Sequence, residues 1–129
     1  MYRTALVAGT ILGALSVILG AFGAHALRQI LSPDQLQIFE TGVRYQMYHA
    51  FALLACGLLS FHLPLKLLKR ATQFFITGIV LFSGSLYLLV GLKASGQIGL
   101  GGVGILTPIG GLFFILGWVF MLVASLQKR

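Results

Sequence analysis

The chain has 129 residues, 58% hydrophobic and only 9% charged, with a mean hydropathy of +1.00. A soluble domain carries roughly a quarter of its residues as charges to cover its surface, so this composition excludes a soluble globule and leaves lipid as the outer solvent. Nine basic residues stand against two acids, but they lie beside or between apolar runs and not on one polar face, which excludes nucleic-acid binding.

A bilayer core of ~30 Å takes about 20 helical residues. Apolar runs at about 4–27, 41–63, 71–92 and 105–126 meet that length or nearly so. The expectation is an all-α integral membrane four-helix bundle, residues 1–129 forming a single four-span domain.

The first run follows Arg3 and ends near Ala24-His25-Ala26, which imitates a small-x-small cleavage site. It is longer than a signal-peptide apolar region of about 7–15 residues. It also carries Gly9, Gly13, Gly20 and Gly23, which suit close helix packing. A retained span is expected.

In the next connection, Ser32-Pro33-Asp34 reads as a helix start, with Ser at the N-cap, Pro at the first helical position and an acid in the first turn. Leu36, Ile38, Phe39, Val43 and Met47 give this stretch an apolar side, so a short amphipathic outer segment leading into the second span is expected. Glu40 precedes Arg44 by one helical turn, the favourable order for an ion pair. On a helical projection Tyr45, Tyr48, His49, Ala52 and Cys56 share an arc of about 100° with Arg44 beside it, and Met47, Ala50, Leu54, Gly57 and Leu58 form a lipid-like back.

Pro64 closes the second span, and Lys66, Lys69 and Arg70 come directly after it. Counted with Arg3, Lys128 and Arg129, they make six basic residues on one side of four spans. Arg28, Arg44 and Lys93 make three on the other, so both termini are expected in the cytoplasm. Ser83, Ser85 and Tyr87 in the third span and Thr107 at the start of the fourth can join Arg44, Tyr48, His49 and His25 in a polar pocket at the outer end of the bundle. The same groups can instead serve as interhelical hydrogen bonds. Gly99-Leu-Gly101-Gly-Val-Gly104 matches a dinucleotide motif by letter but comes after no strand; Gly96–Gly104 reads as a glycine-rich outer loop. In the fourth span Thr107 is read as N-cap and Pro108 as the first helical residue. Gly110, Gly111 and Gly117 are read as the surface on which a neighbour packs, so that Gly111→Leu would disrupt the bundle.

No metal or other cofactor is expected, because His25 and His49 lack a third ligand and no CxxC, HExxH or carboxylate cluster is present. No catalytic residue is expected either, for want of a nucleophile–base pair. Two functions remain open: a small binding or accessory membrane protein, and a homo-oligomeric transporter or channel for a small or anionic solute. The partners expected are membrane lipid and either a second copy or another membrane protein, with no nucleic acid.

The blocks Gly20–His25, Thr41–His49, Phe82–Tyr87, Thr107–Gly111 and Gly117-Trp118 together resemble the small bacterial inner-membrane proteins grouped as domain of unknown function 423. They touch all four runs. The resemblance implies a four-span α-helical protein of the bacterial plasma (inner) membrane, with a related protein in animal mitochondria. It also implies that His25, Gln46, His49, Ser85, Tyr87, Pro108, Gly110 and Gly111 are recurring positions. It implies no activity. Gln46 projects away from the stripe of the second span, so either it serves a separate interface or the helix phase differs.

Overall fold

The computed structural model describes residues 1–96 and 101–127. Four helices and no strand are found among the described residues. They are α1 (Arg3–His25), α2 (Pro33–Leu59), α3 (Leu65–Ala94) and α4 (Gly101–Leu126). Three segments, Arg3–Gln29, Leu65–Ala94 and Gly102–Leu126, are long and apolar enough to cross a membrane. α2 has the length but interrupts its apolar pattern with Arg44, Gln46 and His49.

The distribution of polarity is that of a membrane bundle. Gln46, His49, Thr72, Ser83 and Ser85 are buried, whereas Val7, Ile11, Phe51, Leu58, Val80, Leu112 and Leu122 are more than half exposed on the outside. Water would penalise that many contiguous apolar side chains, and lipid does not. Each of the buried hydroxyls donates to an internal acceptor or shares a bond, as an apolar solvent requires.

The helix start at Ser32 forms as the sequence indicates. The Ser32 hydroxyl accepts from the Gln35 amide (3.2 Å), and the Gln35 side-chain oxygen accepts from the Ser32 amide (3.1 Å). This reciprocal cap satisfies two orphan donors. The amphipathic segment leads into the second span as expected, forming the first turns of α2, which is continuous from Pro33 to Leu59.

α2 is the middle of the bundle, and this corrects the lipid-like back. Ala50 and Gly57 are buried beneath α1, leaving Leu58 as the half-exposed member of that set. Gly9 on α1 makes the close approach possible, whereas a Cβ on Gly13, one turn on, would reach only ordinary contact with Ala50 (3.8 Å). A Cβ on Gly9 would lie 2.9 Å from the Ala50 carbonyl oxygen, a contact that only a glycine tolerates there. The start of the chain is tied to the end of α2 by the Tyr2 amide, which donates to Ser60 Oγ (2.9 Å).

α3 is wound unevenly. Ile79–Ser83 forms a π-helix between the α-helical stretches Leu65–Gly78 and Gly84–Ala94. The wider turn shifts the phase of the residues after it, so Ser83 and Tyr87 face α2 while Ser85 faces α4. Gly110 of α4 sits directly on this turn: a Cβ there would collide with the backbone of Leu81 (2.8 Å to the carbonyl carbon) and Phe82.

α4 begins earlier than expected. Of the expected loop Gly96–Gly104, Gly96 adopts a positive φ of 79° after α3, residues 101–104 are already helical, and residues 97–100 lie outside the described residues. Pro108 is therefore inside α4, and Thr107 is not its cap. The Thr107 hydroxyl instead meets Ser85 Oγ at 2.6 Å. In an apolar solvent a further turn of helix satisfies backbone groups that a loop would leave bare.

Gly111 also differs from its expected role. A Cβ on it would reach only ordinary contact with Phe82 (3.9 Å), so Gly110 carries the close packing and Gly111 faces a groove. Gly117 packs against the Phe75 ring and Gly23 against the Phe39 ring, while Gly20 has room beside Val43 (3.5 Å). Gly110→Ala is expected to destabilise the protein by about 1–3 kcal/mol through overpacking, whereas Gly111→Ala should be nearly neutral. Thermal unfolding of both variants in detergent checks this, and equal losses would contradict it.

Candidate functional site

The residues of the expected single pocket divide into a polar network and two grooves. The network centres on Gln46, which is 3% exposed. Its side-chain nitrogen donates to the Leu12 carbonyl on α1 (2.9 Å), and its side-chain oxygen accepts from the Tyr87 hydroxyl on α3 (2.8 Å). Ser83 Oγ donates to the Gly42 carbonyl (2.6 Å), again joining α3 to α2. Gln46 thus serves a separate interface, and Ser83, Ser85, Tyr87 and Thr107 act as interhelical bonds.

The first groove lies between α2 and α4 and encloses about 600 Å³. Tyr45, Tyr48 and His49 form one wall, Phe82 and Phe114 the floor, and Pro108, Gly111 and Trp118 contribute the other wall. His49 is 4% exposed and is held from both ends of its ring. Its Nδ1 lies 2.7 Å from the Tyr45 carbonyl, and Trp118 Nε1 donates to its Nε2 at 3.1 Å. A carbonyl only accepts and an indole N–H only donates. The two bonds therefore require the neutral imidazole with its proton on Nδ1. Its face stacks on Phe114, ring centroids 3.6 Å apart and planes within 7°.

With both imidazole nitrogens engaged, His49 is unsuited to general-base or metal work here. No group of three metal-ligating side chains occurs among the described residues. What remains open to a ligand is apolar aromatic surface and the phenols of Tyr45 and Tyr48, which are 39% and 51% exposed at the rim.

The second groove, about 350 Å³, lies between α1 and α2 and takes in Glu40 and Arg44. Both side chains are exposed, and among the described residues no ion pair joins them. Arg44 therefore does not share a pocket with His49. His25 is exposed at the last residue of α1 and lines neither groove.

Phe82, Phe114 and Trp118 are groove residues that the sequence alone does not single out. Two phenylalanines among ten carry no pattern of their own. Trp118 does carry a signal: it is the one tryptophan, set inside an apolar run and away from its edges, where the indole N–H must find an acceptor.

A family model described as a protein of unknown function, DUF423, matches residues 19–111. The chain is similar to the UPF0382 membrane protein YwdK of Bacillus subtilis, 40% identical over 95% of each chain. It is 42% identical to a UPF0382 membrane protein of Staphylococcus epidermidis, over 91% of this chain and 93% of the relative. It is 34% identical to the UPF0382 inner membrane protein YgdD of Escherichia coli, over 98% of this chain and 92% of the relative. No solved structure matches the chain significantly.

Because Trp118 is the only tryptophan, its emission reports on the groove. His49→Leu leaves the indole N–H without an acceptor and is expected to shift the emission to the blue and cost about 0.6–1.7 kcal/mol. His49→Gln, whose amide oxygen can accept, should stay nearer wild type on both counts. Fluorescence-detected thermal unfolding reads both; wild-type emission and stability in His49→Leu would remove the bond from the account.

Proposed function

The chain belongs to the DUF423 family and is an integral membrane protein, and we propose that it binds an apolar small molecule of the membrane in the groove between α2 and α4. The observation that carries this reading is the aromatic-lined space of about 600 Å³ between α2 and α4. That volume falls within the range of small-molecule sites, roughly 300–1,000 Å³. Tyr48, Leu112, Ile115 and Trp118 along its rim are 48–60% exposed, so the entrance faces the lipid side of the bundle. The ligand that suits it has a flat or chain-like apolar body to lie along Phe82, Phe114 and Ile115, and one polar end for the Tyr45 and Tyr48 hydroxyls. Neutral, doubly bonded His49 serves as a wall and orients Trp118.

In this reading all four helices cross the bacterial inner membrane with both termini in the cytoplasm. Burial of Gln46 and His49 against neighbouring helices supports a crossing by α2, since its polar groups are hidden from lipid. The surplus of basic residues beside the N-terminus, the α2–α3 turn and the C-terminus supports the orientation.

Native mass spectrometry of protein extracted in mild detergent tests the groove. Wild type should carry a defined small mass, and Gly111→Leu, which fills the groove from a position with room for a side chain, should lower its occupancy about tenfold or more. Thermal unfolding in detergent verifies the fold of that variant. Equal occupancy in the two proteins, or a bound polypeptide in place of a small molecule, would overturn the proposal.

The topology has its own test, because the one native thiol, Cys56, is buried. A membrane-impermeant thiol reagent should label Asp34→Cys in right-side-out vesicles and Gln127→Cys only in inverted ones. The reverse pattern would invert the orientation.

A further inference from the structure

The groove between α1 and α2 holds the charges that the first groove lacks. Gly20, Val43 and Met47 line it with apolar surface, and Glu40 and Arg44 are exposed along it. Gly20 opposes Val43 across the helix pair, with 3.5 Å between a Cβ placed on the glycine and the valine methyl. Arg44 is the neighbour of Val43, so it lies near the level of Gly20 and about 8 Å short of the His25 end of α1, at ~1.5 Å rise per residue. A guanidinium at that depth on a lipid-facing surface is costly. It is relieved by reaching outward to the headgroup layer and pairing there. Glu40 does not supply that pairing among the described residues, although the two stand one turn apart.

The vertical order of these groups is informative. Moving outward along α2 there is the apolar Met47, then a cation level with Gly20 and Val43, then an anion about 6 Å above the cation, the rise of four helical residues. A phospholipid with a zwitterionic headgroup presents the complementary order: an acyl chain, then a phosphate, then an ammonium. A primary ammonium can donate hydrogen bonds to a carboxylate and a quaternary one cannot. We propose that this groove binds one phospholipid of the leaflet at the His25 end of α1, with its phosphate on Arg44, its primary ammonium on Glu40 and one acyl chain along Gly20, Val43 and Met47. The site is independent of the groove between α2 and α4.

The test is lipid titration of the delipidated full-length protein, read by native mass spectrometry. The probes are phosphatidylethanolamine, phosphatidylcholine and phosphatidylglycerol with the same acyl chains. Phosphatidylethanolamine should bind about tenfold more tightly than the other two. Arg44→Gln should weaken its binding about tenfold or more, and Arg44→Lys, which keeps the charge, should retain most of it. Glu40→Gln should erase the preference for ethanolamine over choline without weakening phosphatidylcholine. Gly111→Leu should leave all of these values unchanged, which separates this site from the other groove. Thermal unfolding in detergent verifies folding of each variant. Equal affinity for the three lipids would overturn the proposal, as would wild-type selectivity in Glu40→Gln or wild-type affinity in Arg44→Gln. Competition by soluble phosphoethanolamine at the concentration at which the lipid binds would also overturn it, by assigning the site to a free headgroup.

Discussion

A buried amide in lipid must find partners among its neighbours, and Gln46 finds them on two helices at once. It donates to α1 through the Leu12 carbonyl and accepts from α3 through Tyr87. Three of the four helices therefore meet at one side chain, near the middle of the most polar helix of the chain. The geometry leaves little freedom. Leu12 already belongs to the α1 ladder and also accepts from Ser16 Oγ (2.8 Å), so only a closely packed α2 brings Gln46 within reach. The approach depends on Gly9, one turn before Leu12 on the same helix, and on Gly57 of α2, where a Cβ would collide with the Leu6 side chain. Small residues and the buried amide are thus one device: the glycines remove bulk, and the amide fixes the register that the shortened distance permits.

The other side of α2 is organised by the π turn of α3. Its wide backbone receives Gly110 of α4, and the phase shift places Ser83 and Tyr87 toward α2. With α4 seated on α3, contact between α2 and α4 is left to side chains, chiefly the His49–Trp118 bond and the stack of His49 on Phe114. The space above those rings is the first groove. It exists because α4 packs on α3 by glycine and reaches α2 by long aromatic side chains. Both grooves arise from the central position of α2, one on each side of it.

This division gives the polar residues of α2 distinct tasks. Gln46 is structural, with each functional atom of its amide in a bond to another helix. His49 is structural too, since both nitrogens are taken, but it shapes a wall of the first groove. Tyr45 and Tyr48 stand at the rim of that groove with exposed rings. Glu40 and Arg44, further toward the start of the helix, are exposed charges that line the second groove. Residues that share one arc in projection are separated in the bundle because neighbouring helices reach different heights and sides of α2.

Composition, run length and local caps were sufficient for the membrane class, the all-α bundle and the helix start at Ser32, because each depends on solvent preference or on hydrogen bonds within a few residues. The glycine-bearing packing face of α1 was also legible locally. Tertiary structure alone decided which face of α2 is hidden, that Gln46 bridges α1 and α3, that Gly110 and not Gly111 carries the close contact, and that Arg44 and His49 occupy different grooves. It likewise decided that Thr107 bonds to Ser85 and does not cap α4. Helical projection orders side chains around one axis but says nothing of where a second axis lies. A π turn, which rotates half of α3 against the other half, has no periodicity to announce it. Burial in lipid rewards any internal partner for a polar group, and only the packed arrangement selects which one.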